Sequence, residues 1–260
     1  MEILQKIQGI NEAVDISSWI PDADFPTYPE GTRSKKAVIC PDNIDYSFLI
    51  PSHRYLFKKS NERYPEQFWV EIIAYLVGCK MGIKVPPAFV SYDSRNDRCG
   101  ALIEWFYGYP REAITTRFLK GGDFMTAMIP HYDREKGMQH NFGHVERISR
   151  IFIRKGYLRE KWFDYWCQVF LFDAIIGNTD RHQDNWGFIV YGATPPFQFI
   201  FSPAFDNGTA MGHEILQSNF IKFEDPDYIA RYVSKGTHHM KWRINSLRKL
   251  QFADMILKLL

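Results

Sequence analysis

Two periods of apolar residues run through this chain. In the first half, residues 37–40, 46–50 and 54–58 are short apolar and aromatic runs. Pro41-Asp42-Asn43 and Pro51-Ser52 separate them, a pattern that predicts an antiparallel meander. Over 66–81 the period lengthens: Phe68, Trp69, Ile72, Ile73, Leu76 and Val77 recur at helical spacing, and Gly82 stands where a C-cap is expected. Strands at 88–92 and 100–106 follow, joined by the turn formers of 93–97. The second half predicts helices over 111–128, 142–155 and 160–177. The last of these is apolar nearly all round, with Trp162, Phe163, Trp166, Val169, Phe170, Phe172, Ile175 and Ile176, and is expected to be buried. A polar string at 177–185, strands at 186–191 and 197–201, a turn at Asp206-Asn207-Gly208, and helices over 226–234 and 243–259 complete the pattern. The expected class is α+β. Residues 1–30 form an extension, 31–106 a small antiparallel sheet with one long helix, and 107–260 a mainly helical region.

Composition narrows the classes of function. Of the 260 residues, 45% are apolar and 16% aromatic, enough for a sizeable core. A formal charge of +2 is nearly balanced and does not suggest a nucleic-acid coat or a membrane-surface protein. Cys40, Cys79, Cys99 and Cys167 are scattered, without the spacing of a zinc site or a disulfide scaffold, which fits a reducing compartment. The start, Met1-Glu2-Ile3-Leu4-Gln5-Lys6, does not read as a signal peptide. With no long apolar span, the expectation is a cytoplasmic protein without membrane or direct nucleic-acid contacts.

The chemistry concentrates at 177–208. Gly177-Asn178-Thr179-Asp180-Arg181-His182-Gln183-Asp184-Asn185 places a polar loop between an apolar helix and a strand, where its groups need partners. A hairpin of the two following strands would return Asp206 beside Asn185. Asn185 offers a neutral oxygen and Asp206 a charged one, hard donors suited to Mg²⁺. Asp180, five residues before Asn185, suits a carboxylate that orients a hydroxyl and takes its proton. D-x-x-x-x-N followed by a strand, a hairpin and Asp-x-Gly is a protein-kinase arrangement.

These segments resemble the HipA-like serine/threonine kinases, a bacterial family distantly related to protein and phosphatidylinositol kinases. The resemblance lies in FLFDAIIGNTDRHQDNWGF (170–188), FSPAFDNGTAMG (201–212), YLFKKS (55–60), FWVEIIAYLVGCKMGIKVP (68–86) and GTRSKK (31–36). It implies a two-lobed, protein-kinase-like fold, ATP and magnesium as cofactors, and transfer of the γ-phosphate to Ser or Thr of a protein. Asp180 then matches the catalytic aspartate, and Asn185 and Asp206 the metal ligands. His182 is either an ordinary loop polar or a structural residue that orients Asp180. Lys58, with Lys59 as alternative, matches the lysine that holds the α- and β-phosphates. Glu71, with Glu66 as competitor, matches its helix partner. Gly31, Thr32, Arg33 and Ser34 match the nucleotide-covering loop, although that loop has a single glycine. A phosphate on Ser34 or Thr32 would then lower activity. Glu104-Trp105-Phe106 falls where a hinge meets adenine. Toxin–antitoxin pairing with an antitoxin-like protein partner is a further implication.

Blander readings stand beside these. Lys58 could be a strand-end surface lysine and Glu71 part of a solvated helix face. Asp173 reads as an internal hydrogen-bonding group, Asp184 as solvated, and His213, His238 and His239 as surface residues. His131, His140 and His144 match no metal template, and 130–144 reads as a flexible polar loop. Lys241, Arg243, Arg248 and Lys249 read as a solvated helix face, with a phosphate-binding or partner surface as the minority reading. The rival functions are a phosphoinositide or small-molecule kinase, a catalytically silent nucleotide-binding module acting through a protein partner, and a metal-dependent phosphohydrolase using Asp180, His182, Asp184 and Asp206.

Overall fold

The computed structural model describes residues 5–24, 35–110, 112–246 and 248–259. The chain divides into two compact units, Met1–Glu112 and Ala113–Leu260. Among the described residues no helix is long and apolar enough to cross a membrane.

The first unit is a six-stranded sheet with one long helix. The strands are β1 (Val14–Asp15), β2 (Ile20–Pro21), β3 (Lys35–Ile39), β4 (Arg54–Lys59), β5 (Ala88–Asp93) and β6 (Arg98–Glu104), in the order β1-β5-β6-β4-β3-β2. Every pairing is antiparallel except β1 with β5. The described part of the expected extension therefore belongs to this sheet, and Val14, Ile16 and Trp19 are buried with Tyr55, Phe57, Phe89 and Leu102. Residues 46–50 form turns rather than a strand, and Phe48 and Leu49 plug the same core.

Helix α1 (Gln67–Met81) ends in a left-handed Gly82 whose N–H returns to the Cys79 and Gly78 carbonyls. Its buried face is rotated from the apolar stripe. Gln67, Glu71, Ala74, Tyr75 and Gly78 face inward with Phe68, Val70 and Ile72, while Trp69, Ile73 and Leu76 are exposed. Small side chains decide this: a Cβ on Gly78 would lie 2.4 Å from Val85, so this face makes the close approach.

The second unit begins with β7 (Thr116–Lys120) and α2 (Gly121–Met128), where one helix over 111–128 was expected. Thr116 and Phe118 suit a strand, and β7 joins β8 (Gly187–Tyr191) and β9 (Gln198–Phe201) in a three-stranded antiparallel sheet. Helix α3 (Phe142–Arg154) starts where the Asn141 side chain accepts the His144 N–H at 3.1 Å. Helix α4 (Trp162–Ile176) buries Trp166, Val169, Phe170, Phe172, Asp173 and Ile176. Phe163, Leu171 and Ile175 remain exposed, so it is half-buried rather than enclosed. Helix α5 (Pro226–Ser234) has Asp225 as its cap and Pro226 in its first turn. Of the predicted 243–259 helix only α6 (Phe252–Leu257) forms. The core gathers Trp166, Phe170, Trp186, Phe188 and Phe201 with Phe142, Met240 and Met255.

Candidate active site

Helix α4 stops at Gly177, whose φ of +67° turns the chain and directs its N–H to the Asp173 carbonyl. The loop that follows is folded by its own polar groups. Asn178 Oδ1 accepts the Asp180 N–H at 3.0 Å. The His182 N–H donates to the Asp180 carbonyl at 2.8 Å, and the Asn185 N–H to the His182 carbonyl at 3.0 Å. Asn185 Nδ2 then donates to the same Asp180 carbonyl at 2.8 Å. That bond fixes the orientation of the amide. Its Oδ1 accepts no hydrogen bond among the described residues.

Asp206 lies after β9 with φ +55°, a left-handed conformation that aspartate tolerates better than most residues. It acts electrostatically on Asp180. Burial raises the Asp180 carboxyl above its ordinary range and the Asp206 charge adds to this, while His182, Arg181 and Lys249 oppose it. The structure therefore brings Asp180, Asn185 and Asp206 into one polar region of the second unit.

Arg181 holds that region together. Its side chain is fully buried. Nε and Nη2 donate to the two Asp173 carboxylate oxygens at 3.1 and 2.7 Å. Nη1 reaches the carbonyls of Asn185, at 3.2 Å, and of Phe205. Nη2 also donates to Asn207 Oδ1 at 2.7 Å. One guanidinium thus ties α4, the 178–185 loop and the segment carrying Asp206. His238 Nε2 lies 3.1 Å from Asp173, and its Nδ1 accepts the Met240 N–H at 3.1 Å, so Nε2 carries the proton and donates. Burial would raise the Asp173 carboxyl, but Arg181 and His238 bring it below its ordinary value.

The outer side of the loop is fastened separately. Arg134 clamps Asp184, with Nη2 2.7 Å and Nε 3.1 Å from Oδ1, and Gln183 Nε2 donates to the Arg134 carbonyl at 2.6 Å. The segment read from sequence as a flexible polar loop thus supports the candidate site. His140 is buried and kept neutral by desolvation, and its Nε2 accepts the Trp186 indole N–H at 3.1 Å. His238 is fully buried and His239 partly so; neither is the surface residue expected. His182 accepts the Asp184 N–H on Nδ1 at 3.2 Å.

A pocket of about 420 Å³ opens beside Asp180, lined by Gly177, Thr179, Asp180, Thr209, Gly212, His213, Glu214, Tyr232, His239 and Lys249. Sequence reasoning had no handle on Arg134, Tyr232 or Glu214. For Lys249 the signal was the basic stretch around it.

In the first unit, Lys58 Nζ lies 2.6 Å from Glu71 Oε1, with both side chains buried. Lys59 is half-buried, and Glu66, at the N-cap of α1, is exposed. The Glu104 N–H donates to the Pro87 carbonyl at 2.8 Å and the Trp105 N–H to that of Arg54 at 3.1 Å. The buried Glu104 carboxylate accepts from Lys6 and, at 3.0 Å, from the Tyr109 hydroxyl. Phe106 sits edge-on to Tyr107, with centroids 5.6 Å apart. Gly31, Thr32, Arg33 and Ser34 lie outside the described residues.

Magnesium binding can be tested against these groups. Mg²⁺ takes one or two protein oxygens and fills its octahedron with water and phosphate. Asn185 Oδ1 and the Asp206 carboxylate suit that. A cage of protein ligands is a different design, and among the described residues no cluster of three or more His, Cys, Asp or Glu could hold a metal. The Arg134 clamp on Asp184 engages one of the four residues that the phosphohydrolase reading needs as a ligand.

No family model and no curated protein match the chain. Among solved structures it is similar to the Helicobacter pylori proinflammatory kinase CtkA, with a TM-score of 0.71 at 15% identity, covering 94% of this chain and 76% of that one. The fold is two-lobed and kinase-like.

Proposed function

We propose that this chain is an ATP- and Mg²⁺-dependent kinase of the HipA-like type that transfers the γ-phosphoryl group to a serine or threonine hydroxyl of a protein. The observation that carries this reading is the Asn185 side chain. Its Nδ2 is bound to the carbonyl of the candidate base, Asp180, which turns Oδ1 away as a ligand oxygen. Asp206 supplies the charged oxygen of the pair.

In this reading Asn185 and Asp206 would hold Mg²⁺, which would supply positive charge against the phosphate oxygens. The family resemblance assigns the buried Lys58–Glu71 pair of the first unit to the nucleotide phosphates. Asp180 accepts a hydrogen bond from the acceptor hydroxyl and aims its oxygen at the γ-phosphorus. As the new P–O bond forms, the bond to the β-phosphate bridging oxygen breaks, ADP leaves with that electron pair, and the hydroxyl proton passes to Asp180. The preference for a protein acceptor rests on the sequence resemblance.

Transfer from γ-labelled ATP separates the rival functions when the chain is offered a lysate, phosphoinositide vesicles or buffer alone. Label in protein supports the reading, label in lipid replaces it with a lipid kinase, and no label anywhere leaves a silent nucleotide-binding module. Asp180→Asn is expected to lower transfer by roughly 10²–10⁴-fold with ATP affinity nearly intact. Because the Asp180 carboxyl is raised, the acid limb of the wild-type pH–rate profile should lie above the ordinary carboxylate value of 3.8. Lost ATP affinity with normal transfer would make Asp180 structural instead.

A further inference from the structure

The basic stretch near the carboxyl end has no part in the mechanism above. It does not form the solvated helix face that its sequence suggested. Helix α6 starts only at Phe252, and Lys249, in the irregular segment before it, lines the pocket beside Asp180. The pocket, at about 420 Å³, has the size of an ordinary ligand site.

The charges around it are unequal in their engagement. Glu214 receives the Tyr232 hydroxyl at 2.7 Å and lies 3.4 Å from His213 Nδ1. His239 is neutral, its ring pushed down to about 3 by burial and then by the Lys249 ammonium. Lys249 makes no ion pair or hydrogen bond among the described residues. The residue is solvent-exposed, but its ammonium is partly desolvated and lies within the fields of Asp180 and Lys241. Lys241 adds positive potential beside Lys249, while the Asp180 and Glu214 carboxylates of the same lining oppose an anion, so the pull on one rests on direct contact with Lys249.

We propose that Lys249 makes this pocket a recognition site for acceptors whose hydroxyl stands beside an anionic group, which in a protein means serine or threonine flanked by aspartate or glutamate. The inference rests on the phosphotransfer reading above and adds the class of acceptor to it. Lys249 binds the flanking carboxylate while Asp180 takes the hydroxyl, so one cation selects the site and one carboxylate reacts.

The test uses the full chain, Mg·ATP and three sets of peptides with a single serine or threonine in acidic, uncharged or basic flanks. Wild type should show kcat/KM about fivefold higher for acidic than for uncharged flanks, the upper range for one exposed ion pair. Lys249→Ala should equalise the sets, Lys249→Arg should keep the preference, and Lys249→Glu should shift it to basic flanks. Each ratio is internal to one preparation, so a change in overall activity does not mimic the result. Equal rates for the three sets in wild type would overturn the inference while leaving the kinase reading in place. So would a preference that survives Lys249→Glu, or a uniform fall in all sets, which would mean that Lys249 acts only on Asp180. Absence of label in every peptide set and in a protein lysate would remove the kinase reading and this inference together.

Discussion

Arg181 donates five hydrogen bonds from a position closed to solvent, one for each N–H of its guanidinium. A lysine there would keep the charge but offer three donors from one point, so it could not span Asp173, two carbonyls and Asn207. Arg181→Lys is expected to cost about 2 kcal/mol, since buried acceptors are left unpaired, read as a lower urea midpoint. The affinity for Mg·ATP should fall with it, because the Phe205 carbonyl and Asn207 flank Asp206. A variant with unchanged midpoint and unchanged nucleotide affinity would show that the network is dispensable. Half of this arrangement was legible in the sequence. Asp173 stands out as an acid in an apolar helix and had to have a partner. Arg181 read as one loop polar among several, because its pairing closes across the turn at Gly177. His238 comes from far along the chain, and no local pattern announces it.

The helices that were legible carry their own stop and start signals. Asn141 caps α3, Asp225-Pro226 opens α5, and Gly177 and Gly82 end α4 and α1. Elements that depend on a distant partner were misread. Strand β7 is defined by its pairing with β8, so its short run of alternating residues had been absorbed into a predicted helix. Helix α1 was placed correctly, but its inward face was not, because close approach at Gly78 and the buried Lys58–Glu71 pair outweigh the apolar stripe. The β7–β8 contact is also where the element scale can be tested. A Cβ on Gly187 would lie 2.2 Å from the Leu119 carbonyl oxygen and 2.7 Å from the Phe118 ring. Backbone cannot yield as a side-chain tip can. Gly187→Ala is expected to destabilise the second unit by about 1–3 kcal/mol and to lower activity, since Asn185 lies two residues before it. Chemical denaturation within experimental error of wild type would contradict the tight pairing.

At the scale of the whole molecule, charge and composition said little about function, because a net charge of +2 is shared by many unrelated proteins. The two-lobed fold was legible from the order of its parts: a small sheet with one helix, then helices, then the loop with Asp180 and Asn185, a hairpin and Asp206. That order is also what makes a nucleotide-linked stability test informative. A ligand that binds only the folded chain stabilises it by RT ln(1 + [L]/Kd), about 2.7 kcal/mol at one hundred times Kd. For a chain of this size that corresponds to roughly 5–10 °C in the affected unfolding transition. Mg·ATP is expected to give such a shift, and chelating the metal with EDTA should remove most of it. Asp206→Asn should behave in Mg²⁺ as wild type does in EDTA, because the charged metal oxygen is lost. Asp180→Asn should keep the shift, since Asp180 addresses the acceptor rather than the nucleotide. The four measurements separate metal binding from catalysis without needing an acceptor. A shift that survives both EDTA and Asp206→Asn would show that Asp206 does not hold the metal, even if ATP binds.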